Sequence, residues 1–398
     1  MRSLTQMFAV TALAAAAALL ATDQGPGIAP AKAQANPACT LPTAPAATND
    51  QTAWQLFVAI NCQTNGKPAW ASWIEQSQLY PTSGKAGARL AARAGHRFHG
   101  SVLAAIERRM HGKTGFATAA LSPTQCNPMA VKVPNVLPGA VICEEVYINP
   151  TTQSEIAGPG YNIRTAQMKA AATGTKISFT SPSIEIKVDW LPASDFKTAP
   201  FACNGSTTNF YTEQVGGTCY ALVAMHILSK LLPNWLWTTF EPQSAITNPF
   251  RCYIYGPCRD AWGATPAISN GPTSTTTMTP GLQALFTQAG LPATLQNYRL
   301  DVAQSEFTTP DGKAIQGGNS ITEYEAVGTP QNQSSCITCH SMSSVNAKGT
   351  DGASLFASNP APMGPEVVLP AGFIRRGFLW SLGLACPDPT KTGLQSCK

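Results

Sequence analysis

Cys336-Ile337-Thr338-Cys339-His340 is the stretch on which the reading of this chain turns. Two thiols separated by two residues and followed at once by an imidazole match the attachment pattern of c-type haem. The spacing has a chemical reason. The two sulfurs add to the two vinyl groups along one porphyrin edge, and the next residue sets an imidazole under the iron. A zinc site would need a second ligand pair, and the chain has no second C-x-x-C and no H-x₃₋₅-H. A redox C-x-x-C expects a βαβ setting, whereas Thr329 to Ser335 reads as a polar loop. The motif therefore predicts one covalently attached haem c, with Cys336 and Cys339 as its sulfurs and His340 as the proximal iron ligand. The second ring nitrogen of His340 is expected to donate to a carbonyl or carboxylate that fixes the ring.

The N-terminus points to export, which haem attachment of this kind requires. Arg2 is a short positive start, Met7 to Ala21 is almost wholly apolar, and Ala33-Gln34-Ala35 fits a signal-peptide cleavage site. Residues 1–35 read as a signal peptide and Asn36 as the first mature residue. The apolar run falls short of the ~20 residues that span a bilayer, and Asn36-Pro37-Ala38 ahead of Cys39 is no lipid-attachment signal. No other run approaches spanning length. The expectation is a protein of the bacterial periplasm with no membrane span in the mature chain.

Cysteine usage agrees. The chain has 12 Cys, two of them in the motif. An oxidising compartment favours pairing of the other ten. The simplest scheme closes short loops in sequence order: 39–62, 126–143, 203–219, 252–258 and 386–397. Hydrophobic content of 44%, charged content of 12%, and 32 Gly with 32 Pro describe a loop-rich globular chain rather than a helical bundle. A net charge of +5 is too modest for a nucleic-acid partner.

Periodicity gives a helix over Asp50 to Cys62, with Trp54, Phe57, Val58 and Asn61 on one face, and another over Ser101 to Met110. Strands are expected over Val141 to Asn149, Ser183 to Trp190, Tyr220 to Leu228 and Trp235 to Phe240. The strict alternation of Ser183 to Trp190 is the strongest strand signal. Asn270 to Pro280 has a linker composition. A short helix over Gly281 to Ala289 follows, and Ala371 to Cys386 is expected as the last helix, with Ile374, Phe378 and Leu382 on one side. The fold class is α+β: a β-rich domain with flanking helices over 36–269, a linker at 270–280, and a small, mostly helical haem-binding region over 281–398. No internal repeat and no second haem motif appear.

Around Cys336 to His340 the chain resembles a c-type cytochrome. That resemblance implies a methionine ligand in a Pro-flanked loop and a closing helix, for which Met363 in Ala361-Pro362-Met363-Gly364-Pro365 and the 371–386 segment are the candidates. The whole chain is similar to a group of exported bacterial monohaem proteins of unknown function. The matching residues are Trp235-Leu236-Trp237-Thr238-Thr239-Phe240-Glu241 and Asn319-Ser320-Ile321-Thr322-Glu323-Tyr324.

The sixth iron ligand has three candidates. Met342 is too close in sequence to His340 to reach the other haem face. Met363 is far enough along, and a thioether would raise the potential. His226 shares a strand face with Tyr220, Leu222 and Ala224, and is either a ligand or a hydrogen-bonded core residue. The third option is an open or water-bound iron. Arg375 and Arg376 are candidates for the haem propionates, against a plain solvated helix face. Lys85 to Lys113 is strongly basic and holds His96, His99 and His111. It reads as a solvated surface, a docking face for an acidic redox partner, or an anionic substrate site; His96 with His99 lacks the further ligands of a metal site. Most Trp residues fall on periodic apolar positions and read as core. The leading functional reading is a one-electron carrier serving a redox partner protein or a small-molecule donor or acceptor. Its size, beyond the ~100 residues a carrier needs, keeps a haem-dependent redox enzyme or a haem-based sensor in play.

Overall fold

Thr48 opens the first helix, its hydroxyl accepting the Gln51 N–H at 3.1 Å. Such a cap satisfies a donor that the first turn leaves without a carbonyl. The structure, a computed structural model, describes residues 36–80, 127–128, 136–138, 140–197, 201–203, 210–215, 217–243, 258–269, 276–319, 322, 334–352 and 364–385. In chain order its main elements are α1 (Asn49–Asn61), β1 (Ile74–Glu75), β2 (Val141–Ile148), α2 (Pro150–Ala157), α3 (Arg164–Thr173) and β3 (Ile184–Pro192). Then come β4 (Thr212–Val215), β5 (Thr218–Ser229), β6 (Leu236–Pro242), α4 (Pro280–Ala289) and β7 (Tyr298–Gln304). The last are α5 (Cys336–Ser341), β8 (Ser344–Asn346), β9 (Phe373–Arg375) and a 3₁₀ turn (Trp380–Leu384). The chain is α+β.

One antiparallel sheet organises these elements in the order β7-β6-β5-β3-β2-β1. β4 shares an edge of β5 with β6, and Asn127–Pro128 pairs with β2. Residues on both sides of the 270–280 segment contribute: β7 lies beside β6, and α4 packs into the same core as α1. α4 is bounded as its sequence implies. Thr279 caps it, Pro280 takes its first turn, and Gly290 ends it at φ +63.

Side chains alternate between the two faces of the strands. On one face Ile184, Ile186, Val188, Trp190, Met225, Ile227, Leu236, Phe240 and Leu300 form the main core under α1 and α4. The helix is buried there through Trp54, Leu56, Phe57, Val58 and Ile60. Contacts very distant in sequence tie it down. The Trp54 indole donates to Asp260 Oδ2 at 2.8 Å across 206 residues, and Asn49 Nδ2 donates to Ser305 Oγ at 2.9 Å across 256. The opposite face differs. Glu144, Glu185, Lys187, Asp189, His226, Thr239 and Glu241 stand there, buried or nearly so, beside Leu228 and Trp237.

The C-terminal segment departs from expectation. Residues 371–385 form no α-helix. Ala371–Gly372 turn into β9, which pairs with β8, and the chain then turns through Gly377 and Phe378 into the 3₁₀ turn. Gly372, Gly377 and Phe378 have φ of +83, +60 and +71, which an α-helix cannot contain. A helix-like spacing of apolar residues was overruled by these left-handed positions. Among the described residues the motif is flanked by α5 itself, the β8–β9 pair and the 3₁₀ turn, and a mostly helical haem region is not shown.

Disulfides join Cys39 to Cys62 and Cys203 to Cys219, two of the sequential pairs. Cys143 and Cys258 are also disulfide-bonded; their expected partners, with Cys386 and Cys397, lie outside the described residues. So do residues 1–35, expected to be a signal peptide, the helix expected over 101–110, the basic 85–113 stretch with its three histidines, and Met363. Among the described residues no helix is long and apolar enough to cross a membrane.

Candidate functional site

The motif forms α5 itself, one and a half turns held from four directions. Gln304, at the end of β7, accepts the Ile337 N–H at 3.4 Å and donates to Ser335 Oγ at 3.0 Å. Ser335 Oγ bonds Thr338 Oγ1, and Thr338 Oγ1 donates to the Gly364 carbonyl at 2.9 Å. The Gly317 N–H bonds the Ser334 carbonyl just before the helix. Ile337, Thr338 and Ser341 are thereby buried. Cys336, Cys339 and His340 occupy the more open side, each partly exposed. Three-residue spacing puts the two sulfurs on one face of the turn, and neither is in a disulfide.

His340 Nδ1 lies 2.8 Å from the Phe378 carbonyl. A carbonyl only accepts, so Nδ1 carries the proton and Nε2 the lone pair, the tautomer a metal-binding histidine needs. Burial pushes the His340 pKa down to about 3, against the Phe378 bond, which raises it. The acceptor is set by unusual backbone: Phe378 is a non-glycine residue at φ +71, a conformation that persists only where its surroundings enforce it. Gly377 before it is at φ +60, and a Cβ there would come within 2.6 Å of the Phe179 ring. The Trp237 ring packs on His340 with centroids 4.4 Å apart, and Trp380 lies at 6.3 Å. Trp380 also packs with Cys339 and Met342, and its buried indole N–H has no hydrogen-bond partner among the described residues.

This donor set fits a covalently held haem. Two thiols share a helix face, a fixed imidazole follows them, and the buried Trp380 N–H beside Cys339 awaits an acceptor such as a carboxylate. His226 joins the site from the sheet. It lies on the charged face, opposite Lys187 on one side and Thr239 on the other, two residues along from Leu228, which faces Trp237. Its pKa is lowered well below the usual value by burial first, then by the charges of Lys187 and His340.

The two arginines sit elsewhere than expected. Neither is on a helix. Arg375, in β9, pairs with Glu366 at 3.2 Å and donates to the Ser341 and Val367 carbonyls. Arg376 is fully buried, 3.1 Å from Asp351 Oδ1 and bonded to Gln167 Oε1 at 2.9 Å. Both brace the segment that presents Phe378. Sequence reasoning missed Gln304, Gly377, Phe378 and the site role of Trp237; only the paired tryptophans of 235–237 carried a signal.

Glu241, Cys258 and Asp301 also come together, with candidate ligand atoms within 4.8 Å of one another. Cys258 is disulfide-bonded, so its sulfur is no thiolate and the group lacks the ligand that would make it a metal site. No protein-family model, curated protein or solved structure matches the chain.

Proposed function

We propose that this chain is an exported monohaem protein that attaches one haem c through Cys336 and Cys339, binds its iron through His340 and passes single electrons to a redox partner. The observation that carries the reading is the geometry of α5. Both motif thiols stand on one helix face outside any disulfide, and Nδ1 of the next residue is committed to Phe378, leaving Nε2 for a metal. When bound, haem would supply a one-electron iron couple. The rest falls to the chain's own residues. Gln304 and Thr338 hold the helix, Phe378 fixes the imidazole, Trp237 keeps water from it, and Trp380 offers a donor to a propionate. The disulfides Cys39–Cys62 and Cys203–Cys219 are compatible with an oxidising compartment.

A second reading, a haem-dependent redox enzyme or ligand sensor, is favoured by one observation. The sheet face towards His340 buries Glu144, Asp189 and His226, with Lys187 half-buried among them. Charged groups are placed in a protein interior at a stability cost, and such clusters gather at reactive sites.

The test is a denaturing gel of protein matured in a bacterial periplasm and stained for covalent haem, with the Cys336→Ala and Cys339→Ala variants beside it. A stained wild-type band that weakens in each single variant and vanishes in the double is expected. An unstained wild-type band ends the reading.

A further inference from the structure

We propose that His226 supplies the second axial nitrogen to the iron bound by His340, making the centre a bis-imidazole one; this rests on the haem reading above. The argument is one of placement. β5 is an interior strand, paired along one edge with β3 and along the other with β4 and β6, so its side chains have fixed directions. The face on which His226 stands is the face whose Trp237 packs on the His340 ring. Only two histidines occur among the described residues, and the fold sets both on the same side of the sheet, one on β5 and the other against Trp237 of β6, from positions more than a hundred residues apart in the chain. His226 is only 6% exposed, yet it does not belong to the apolar core on the other face; it sits between Lys187 and Thr239. Thr239 in turn accepts from Asn319 Nδ2 at 2.9 Å, and Asn319 also reaches the Phe240 carbonyl, so this part of the wall is rigid. A buried imidazole on a rigid strand beside a haem-binding histidine is a ligand in position, because ligation needs little rearrangement of the backbone.

The assignment has a functional consequence. With both axial positions filled by nitrogen, external ligands bind slowly and the potential lies below that of a histidine–methionine centre. The protein is then a low-potential carrier and not an oxygen- or peroxide-activating enzyme.

The experiment uses purified holoprotein. Oxidised wild type should show the low-spin electron paramagnetic resonance and near-infrared charge-transfer signals of two imidazoles, with no thioether–iron band in the far red. His226→Ala should become high-spin, and its reduced form should bind carbon monoxide roughly tenfold faster or more than wild type. Added imidazole should restore the wild-type spectrum. If His226→Ala does not fold, the wild-type near-infrared signal and carbon monoxide rate decide the matter alone, and His226→Met is expected to acquire the thioether band. A thioether band in wild type that disappears in Met363→Ala overturns the proposal in favour of Met363. Rapid carbon monoxide binding by wild type overturns it in favour of an open iron. A wild type with no covalent haem fails earlier and differently, by sinking the haem reading itself.

Discussion

Ile184, Ile186, Val188 and Trp190 point from β3 into an apolar core under α1, while Glu185, Lys187 and Asp189 point from the same strand to the other side. Both sets are largely removed from water. The first face is built as stable proteins are built, by burying hydrocarbon. The second holds a 3.3 Å ion pair between Glu144 and Lys187, a bond from Thr322 to Asp189, and a bond from Ser381 to Glu185. Interior charges of this kind seldom add net stability over well-packed apolar replacements. One face therefore accounts for folding, and the other is better explained by what lies beside it, the His340 site.

Four measurements can break or sharpen that contrast. The largest effect belongs to the apolar face. Phe240 is fully buried and in contact with the Trp54 and Phe57 rings, so Phe240→Ala should lose about 4 kcal/mol in denaturant unfolding. A loss under 1 kcal/mol would show that this face is not the stabilising core. On the charged face, Lys187→Met should lose about 3 kcal/mol, because it strands the Glu144 carboxylate. Joining it with Glu144→Leu should recover most of that stability while shifting the spectrum of the bound haem. A double variant as unstable as the single, with an unchanged spectrum, would mean that the pair serves folding alone.

The third measurement is the pH dependence of stability. Burial pushes the Glu185 pKa up to about 7, against the usual 4.5. Its folded pKa is raised, so the folded state holds the proton more tightly than the unfolded chain does. The stabilisation is full below pH 4.5 and is lost as pH rises through 7. Between those limits wild type should lose about 3 kcal/mol relative to Glu185→Gln, which keeps an acceptor for Ser381 and cannot titrate. Parallel stability–pH curves for the two proteins would refute this account. The smallest effect is at the seam between sheet and motif. Gln304→Leu removes both bonds to the start of α5 and should cost about 1–2 kcal/mol, with added heterogeneity in the haem spectrum from a loosened helix. An unchanged spectrum would place the anchoring of α5 elsewhere.

The comparison also explains what could be read in advance. The alternation of 184–190 announced a strand, and the structure has one, over Ile184–Pro192. Alternation normally means that one face meets water. Here both faces are covered, which no single strand's pattern can reveal, because the cover comes from distant segments. Gly290 marked a helix end because caps are local chemistry. Cys336, Cys339 and His340 were legible for the same reason. Phe378 was not: its contribution to the site is a backbone carbonyl in a left-handed turn, which its side chain hides. Ile374, Phe378 and Leu382 even mimic a helix stripe, and only Gly372 and Gly377 hinted otherwise. Gln304 and Trp237 matter through partners 33 and about a hundred residues downstream, and such pairings leave no mark in a local window.

The contacts of α1 have a bearing on how the chain reaches this fold. Trp54 and Asn49 find Asp260 and Ser305 across 206 and 256 residues. The bridge from Cys39 to Cys62, separated by 23, and the bond from Trp70 to Asn61, separated by 9, close nearby. A chain threaded outward from its N-terminus would present the most deeply buried of its helices first and that helix's partners last. Loops of that length must be closed before burial repays them, so folding should be slow and should finish late. In the interval Trp54, Leu56 and Phe57 stand open to any other sticky surface. Yield from an expression host would then be governed by how long the newly delivered chain is kept from its neighbours, more than by the stability of the finished protein.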